Sequence, residues 1–163
     1  MVKEFKESQR INQLWLRLLL GLFTVVITIA MYNGIMQAYL AKDINLVFAL
    51  LGIAMLEFGI VALVVFTKLY TEIDEKGIKV QMKPFHLKPK FFTWDEIELI
   101  SVRKYRPLAE FGGWGLRIGL NGTAYNIKGN MGLQIVFKNK KMLLIGTQLA
   151  DELSQFLVSN GKI

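Results

Sequence analysis

Cysteine is absent from this chain, histidine occurs once and serine four times. Without cysteine there are no disulfide staples and no thiolate metal site, and the absence fits a reducing compartment. The lone His86 stands between Phe85 and Leu87. A metal site around it would need carboxylates converging from elsewhere, and no such spacing occurs, so a loop or surface histidine is expected. None of the serines, at 8, 101, 154 and 159, lies in a G-x-S-x-G context, which removes the nucleophile-elbow hydrolases. Asp95, Glu96 and Glu98 are close in sequence, yet a strand points neighbouring side chains to opposite faces, so they form no evident acid/base pair. No catalytic residue, metal or cofactor is assigned, and an enzyme is not expected.

Charge is what two long stretches lack. Leu18 to Met36 holds 19 residues and no formal charge; Leu46 to Phe66 holds 21 and only Glu57. At about 1.5 Å of rise per residue, each crosses a hydrocarbon core of about 30 Å as a helix. The first run exceeds the apolar core of a signal peptide and no A-x-A site follows it, so both read as permanent spans. Helices of about 14–38 and 44–67 then make a hairpin over 14–67, preceded by an N-terminal segment, 1–13, and followed by a soluble domain, 68–163. Lys3, Lys6, Arg10 and Arg17 precede the first span, Lys42 alone lies in the connection, and Lys68, Lys76, Lys79 and Lys83 follow the second. That bias places both termini in the cytoplasm and the chain in the inner membrane as a multi-pass protein.

Glu57 is the residue least at ease in such an arrangement. A charged carboxylate near mid-span costs about 3 kcal/mol or more. A hairpin folded about Lys42 sets Glu57 level with Ile27 and Thr28, with Thr24 one turn away. Glu57 is therefore expected to meet Thr24 or Thr28, or a polar group of a partner chain, as interhelical glue.

From Leu69 onward the texture changes to short alternating strands. "LYTEI" and "IKVQM" flank Asp74-Glu75-Lys76-Gly77, a hairpin signal. "HLKPKFFTW" contains Pro89 and reads as an edge strand. "WDEIELISVRKY" begins with a single turn at Asp95-Glu96 and continues as a strand with Ile97, Leu99 and Val102 inward. "GLRIGL" and "TAYNI" flank Asn121-Gly122, a strong hairpin signal. "GLQIVFK" and "KMLLIG" pair around Asn139-Lys140. Leu149, Leu153, Phe156 and Leu157 then form one helical stripe, with Thr147 placed to cap the start and Gly161 to stop the helix. Six or seven antiparallel strands and one closing helix are expected.

That order, together with "FTWDEIELISV" and "GGWGLRIGLNGTAYNIKGNMGLQIVFKNKKMLLIGTQLADEL", resembles the bacterial membrane-anchored pleckstrin-homology-like family. The resemblance rests on a W-D-E-I strand start at Trp94, on a G-W-G-x-R segment, and on an A-Y-N segment. These are Gly113, Trp114, Gly115 and Arg117, then Tyr125 and Asn126. An I-G-T-Q stretch leads into the closing helix. The resemblance implies a mainly antiparallel barrel plugged by a C-terminal helix, and fold more than function. Lys79, Lys88 and Lys90 approximate the spaced basic pattern of its lipid-binding members.

The glycines of "GGWGLRIG" do not make a phosphate cradle: the third position of a G-x-G-x-x-G pattern is Ile118, and a strand follows instead of a helix. They are expected to turn the chain and bend a curved sheet, with Trp114 packed on it and Arg117 outward. Lys79, Lys83, Lys88, Lys90, Arg103, Lys104 and Arg106 form the basic set that would meet a partner or acidic lipid. Residues 68–163 hold fifteen Lys/Arg against nine Asp/Glu. Nucleic acid is not expected, since no recognition helix or RNA-binding aromatic signature accompanies these cations. The sequence therefore points to a non-catalytic membrane-anchored binding or scaffold module, with the bilayer, a membrane protein or a second copy as partner. The alternative is an accessory or assembly subunit of a membrane complex, recognised through the hairpin and Glu57.

Overall fold

The computed structural model describes residues 4–119 and 122–163. The chain divides into two compact units: residues up to Ile11 together with Thr67–Ile163, and Asn12–Phe66. The second unit consists of two packed helices, α1 (Leu14–Leu40) and α2 (Ile44–Phe66). Between them Lys42 adopts a left-handed φ of 59°. The N–H groups of Lys42 and Asp43 donate to the carbonyls of Tyr39 and Ala38, closing α1, and Asp43 Oδ1 accepts from Leu46 N–H at 3.0 Å, opening α2. Apolar side chains point outward all round, with Leu22 67% and Met55 77% exposed. By length and composition each helix is able to cross a membrane.

The first unit begins with a strand that sequence patterning did not assign. β1 (Phe5–Arg10) pairs with β2 (Lys68–Ile73), so hydrogen-bonded neighbours in one sheet lie on opposite sides of the helical pair in sequence. β3 (Gly77–Lys83) and β4 (Lys90–Thr93) complete a four-stranded antiparallel sheet in the order β1-β2-β3-β4. The turn expected between β2 and β3 is present, with Asp74 Oδ1 accepting from Lys76 and Gly77 N–H at 2.8 and 3.0 Å. Only glycine fits position 77, because a Cβ there would collide with the Phe92 carbonyl oxygen.

A single turn, Trp94–Glu96, leads into the second sheet and carries a reciprocal capping box between Thr93 and Glu96. β5 (Ile97–Lys104), the short helix α3 (Pro107–Phe111), β6 (Gly115–Gly119), β7 (Gly122–Asn126), β8 (Met131–Phe137) and β9 (Met142–Thr147) follow. The sheet order is β5-β8-β9-β7-β6, antiparallel except for the parallel pair β7 and β9. α4 (Ala150–Ser159) ends the fold. Leu153, Phe156 and Leu157 are its buried residues, three of the four in the expected stripe; Leu149 is its half-buried N-cap, the position expected for Thr147. Gly161 has φ 63° and Lys162 N–H returns to Leu157 O, the expected stop. Of the turn expected at Asn121-Gly122, Asn121 lies outside the described residues; Gly119 and Gly122 are opposed in the flanking ladder.

Several expectations need correction. Nine strands occur among the described residues instead of six or seven, and they form two mainly antiparallel sheets that do not close into a barrel. Leu99 is 60% exposed, not inward. A register shift between Ile97 and Leu99 resets the alternation, so that Ile100 becomes the buried residue. Both sheets contribute to one core with α4, through side chains such as Leu69, Ile78, Met82, Leu133, Ile145 and Leu157. Each of these, fully buried, stabilises the fold by about 1.5–3 kcal/mol. Tyr105, Phe111, Ala124 and Leu144 form a smaller second cluster that includes α3.

Candidate functional site

The glycine stretch shapes a corner. α3 stops at Gly112, with φ 69°, and Gly113 follows at φ 124°. Their N–H groups return to Leu108 and Pro107 carbonyls, and β6 begins two residues later. Asn126 secures the turn from beneath: fully buried, it accepts from Gly115 N–H at 2.8 Å and donates to Tyr105 Oη at 3.0 Å. Trp114 is 42% exposed; its indole N–H donates to Gly129 O, and Arg117 Nε donates to Trp114 O. Trp94 is half-buried, donates to Asp74 O at 3.0 Å and carries Lys162 Nζ 4.3 Å above its ring.

The basic set separates into three places. Arg103, Lys104 and Arg106 lie by α3, where Arg103 donates to Glu110 at 2.8 Å and to Gln134. The Arg103 hydrogen bond holds the Glu110 carboxyl below its ordinary value, with the Arg106 N–H adding to the effect. Lys90 lies in a cleft of about 650 Å³ and donates to Tyr125 Oη at 2.8 Å. Lys138, Lys141 and Thr123 line the same cleft over an apolar floor of Phe92, Phe137 and Leu143. Asp95 and Glu96 line it as well, so the cleft carries charges of both signs. Lys79 and Lys83 stand on the outer face of the first sheet, and Lys88 is exposed between β3 and β4.

That outer face carries two rows of side chains set by strand register. Lys6, Glu72 and Lys79 are opposed across β1, β2 and β3. Glu72 takes ion pairs from both lysines, at 3.2 and 3.3 Å. The Lys6 hydrogen bond, then that of Lys79, holds the Glu72 carboxyl below its ordinary value, and Lys6, paired with Glu4 and Glu72, is raised. Four residues along, Arg10, Lys68 and Lys83 are opposed in the same way, with no carboxylate among them. Between the rows Tyr70 faces outward beside a shallow hollow of about 590 Å³, and Lys83 Nζ sits 5.6 Å from its ring centre.

The connection from Lys83 to Lys90 starts at the cationic row. Within it His86 turns inward, its Nδ1 accepting from Met82 N–H at 3.2 Å and its ring edge-on to Tyr125 at 4.9 Å. Burial, then the nearby Lys90 charge, lowers its pKa below 6.5, which favours the neutral ring that this acceptor role needs. Phe85 and Leu87, on either side, are 48% and 95% exposed.

In α2, both carboxyl oxygens of Glu57 are shut away from solvent and make no hydrogen bond among the described residues. Thr24 donates instead to Leu20 O on its own helix, at 2.9 Å, and Thr28 is exposed. The contact expected between Glu57 and these threonines is therefore not a hydrogen bond.

Neither a family model, a curated protein nor a solved structure matches this chain.

Sequence reasoning counted Arg10 and Lys68 only towards orientation and passed over the buried Glu7. Glu7 lies in β1 with its oxygens accepting from Thr147 Oγ1 at 2.6 Å and Gln148 N–H at 2.8 Å, ahead of α4. Alternation in "FKESQR" was the available signal, but its inner positions include Glu7 and Gln9, so the strand lacks an apolar stripe. The acids Glu96 and Glu98 are engaged separately, with Thr93 and with Lys140.

Proposed function

We propose that this protein is a non-catalytic binding or scaffold module of the pleckstrin-homology-like type. Its apolar hairpin anchors it at the cytoplasmic face of the membrane, and its domain engages an acidic lipid or a protein partner there. The observation that carries this reading is the insertion of α1 and α2 between β1 and β2, hydrogen-bonded neighbours in one sheet. Only residues 11–13 and Thr67 join these strands to the helices. A chain of that kind keeps its domain at the bilayer surface rather than on a long tether. The four-stranded antiparallel sheet, the second sheet and the closing helix support a pleckstrin-like assignment, as does the corner built on Gly113, Trp114, Gly115 and Asn126.

Because the chain has no cysteine, its topology can be read with single introduced thiols. Ala41→Cys, between the helices, should react with a membrane-impermeant maleimide on intact cells. Lys76→Cys, in the β2–β3 turn, should react only after permeabilisation. The opposite pattern, or recovery of the protein in the aqueous fraction, contradicts the reading.

A second reading has its own observation. The unpartnered Glu57 carboxyl suits a hydrogen-bonding side chain from another membrane helix, making the hairpin the recognition element of a complex. Replacing residues 14–66 by an unrelated two-helix anchor, with β1 and β2 kept, separates the two. Function survives the exchange on the first reading and is lost on the second.

A further inference from the structure

We propose that the β3–β4 connection is a second membrane contact, in which Phe85 and Leu87 enter the headgroup region while Arg10, Lys68, Lys83 and Lys88 neutralise anionic lipid. The inference rests on the anchored reading above and adds to it the ligand and the residues.

The placement follows from strand register alone. Arg10 is the last residue of β1 before the chain runs to α1, and Lys68 is the first of β2 after its return from α2. These two are opposed, and Lys68 is opposed to Lys83, where the β3–β4 connection begins. The connection therefore leaves the sheet at the end where the chain passes to and from its apolar helices. In an anchored protein that end is the one tied to the bilayer.

The chemistry at that end fits a lipid surface. Cations set directly opposite one another in a ladder repel, and among the described residues no carboxylate pairs with these three. A leaflet containing anionic lipid supplies the missing counter-charge. The apolar pair is held outward by the fold of the connection. Gln81 Nε2 donates to the His86 and Leu87 carbonyls at 3.0 and 3.2 Å. His86 N–H donates to Met82 O at 2.7 Å, and the imidazole is turned inward. Alternation about this clamp leaves Leu87 almost wholly in solvent and Phe85 half so. A single exposed leucine needs no explanation. An exposed aromatic and aliphatic pair on a braced turn between Lys83 and Lys88 has the composition of an interfacial anchor, apolar at the tip and basic at the shoulders.

The test uses the full chain in lipid nanodiscs with one environment-sensitive fluorophore (nitrobenzoxadiazole) at Leu87→Cys. The control is Lys76→Cys, in the β2–β3 turn at the other end of the same sheet. In discs containing phosphatidylglycerol the Leu87 label should emit to the blue of its position in pure phosphatidylcholine discs, and the Lys76 label should not shift. Adding Lys83→Gln and Lys88→Gln should abolish the shift. A label that stays water-like in anionic discs overturns the inference while leaving the anchored reading standing. An equal blue shift in both lipids overturns the role given to the cations. Failure of the chain to enter discs at all overturns both.

Discussion

Two rows of side chains cross the outer face of the first sheet, on the same three strands, and they differ in the residue at the centre. In one, Glu72 sits between Lys6 and Lys79 and pairs with both. In the other, Lys68 sits between Arg10 and Lys83, and the row is wholly cationic. The balanced row shows how this sheet satisfies charge when only protein is available. The unbalanced row opposes strand pairing by an amount on the order of 0.2–1 kcal/mol per facing pair. Its position, where the chain passes to and from the apolar helices, is the ground on which anionic lipid is proposed as the missing counter-charge.

The largest effect should come from undoing the docking of β1, on which both rows depend. Glu7→Ala leaves Thr147 and the Gln148 N–H ahead of α4 without their buried acceptor, and a loss of about 2–3 kcal/mol is expected. Thermal unfolding in detergent checks it, and an unchanged midpoint contradicts the role given to β1.

Next in size is Lys68→Glu, which gives the cationic row the pattern of the balanced one. It should stabilise the sheet by up to about 1 kcal/mol. The same variant should weaken the response of the Leu87 label to phosphatidylglycerol, so that stability and lipid contact move in opposite directions. Losses in both would mean that Lys68 serves the fold.

Glu72→Gln should do the reverse to the balanced row, with a change within about 0.5 kcal/mol because the pairs are exposed. Its sharper signature is pH dependence. A carboxyl held below 4.5 contributes stability that is present above that value and lost as pH falls through the folded pKa. The variant should flatten that part of the acid limb. The smallest effect is local to the β3–β4 connection. His86 is lowered from 6.5, so its contribution is present above 6.5 and lost as pH falls through its folded pKa. Its ring resonances should titrate below 6.5, and titration above that value would contradict the Nδ1 acceptor role.

Much of the fold was legible because it is local. The two helices follow from long apolar runs, the β2–β3 turn from Asp74 and Gly77, and α4 from its apolar stripe. What escaped depends on partners distant in sequence. β1 has its partner beyond both helices, and its inner face carries Glu7 and Gln9 where an apolar alternation would have marked it. Leu99 was misplaced because one extra residue in β5 shifts the alternation, and no residue type announces that shift. The parallel pairing of β7 with β9 is likewise invisible to a reading by consecutive hairpins. For the candidate site, charge was legible and grouping was not. Seven basic residues read as one set lie in three places, while Arg10 and Lys68 join Lys83 through register.

Cross-strand proximity of β1 and β2 in the embedded chain is the most direct test of the whole account. Ser8 and Tyr70 are opposed in the ladder and both side chains face outward. In this cysteine-free chain, Ser8→Cys with Tyr70→Cys should be joined within single molecules by a short thiol cross-linker in intact membranes. Cross-links only between molecules, or none at all, would place the N-terminal strand elsewhere and remove the cationic row from which the membrane contact is argued.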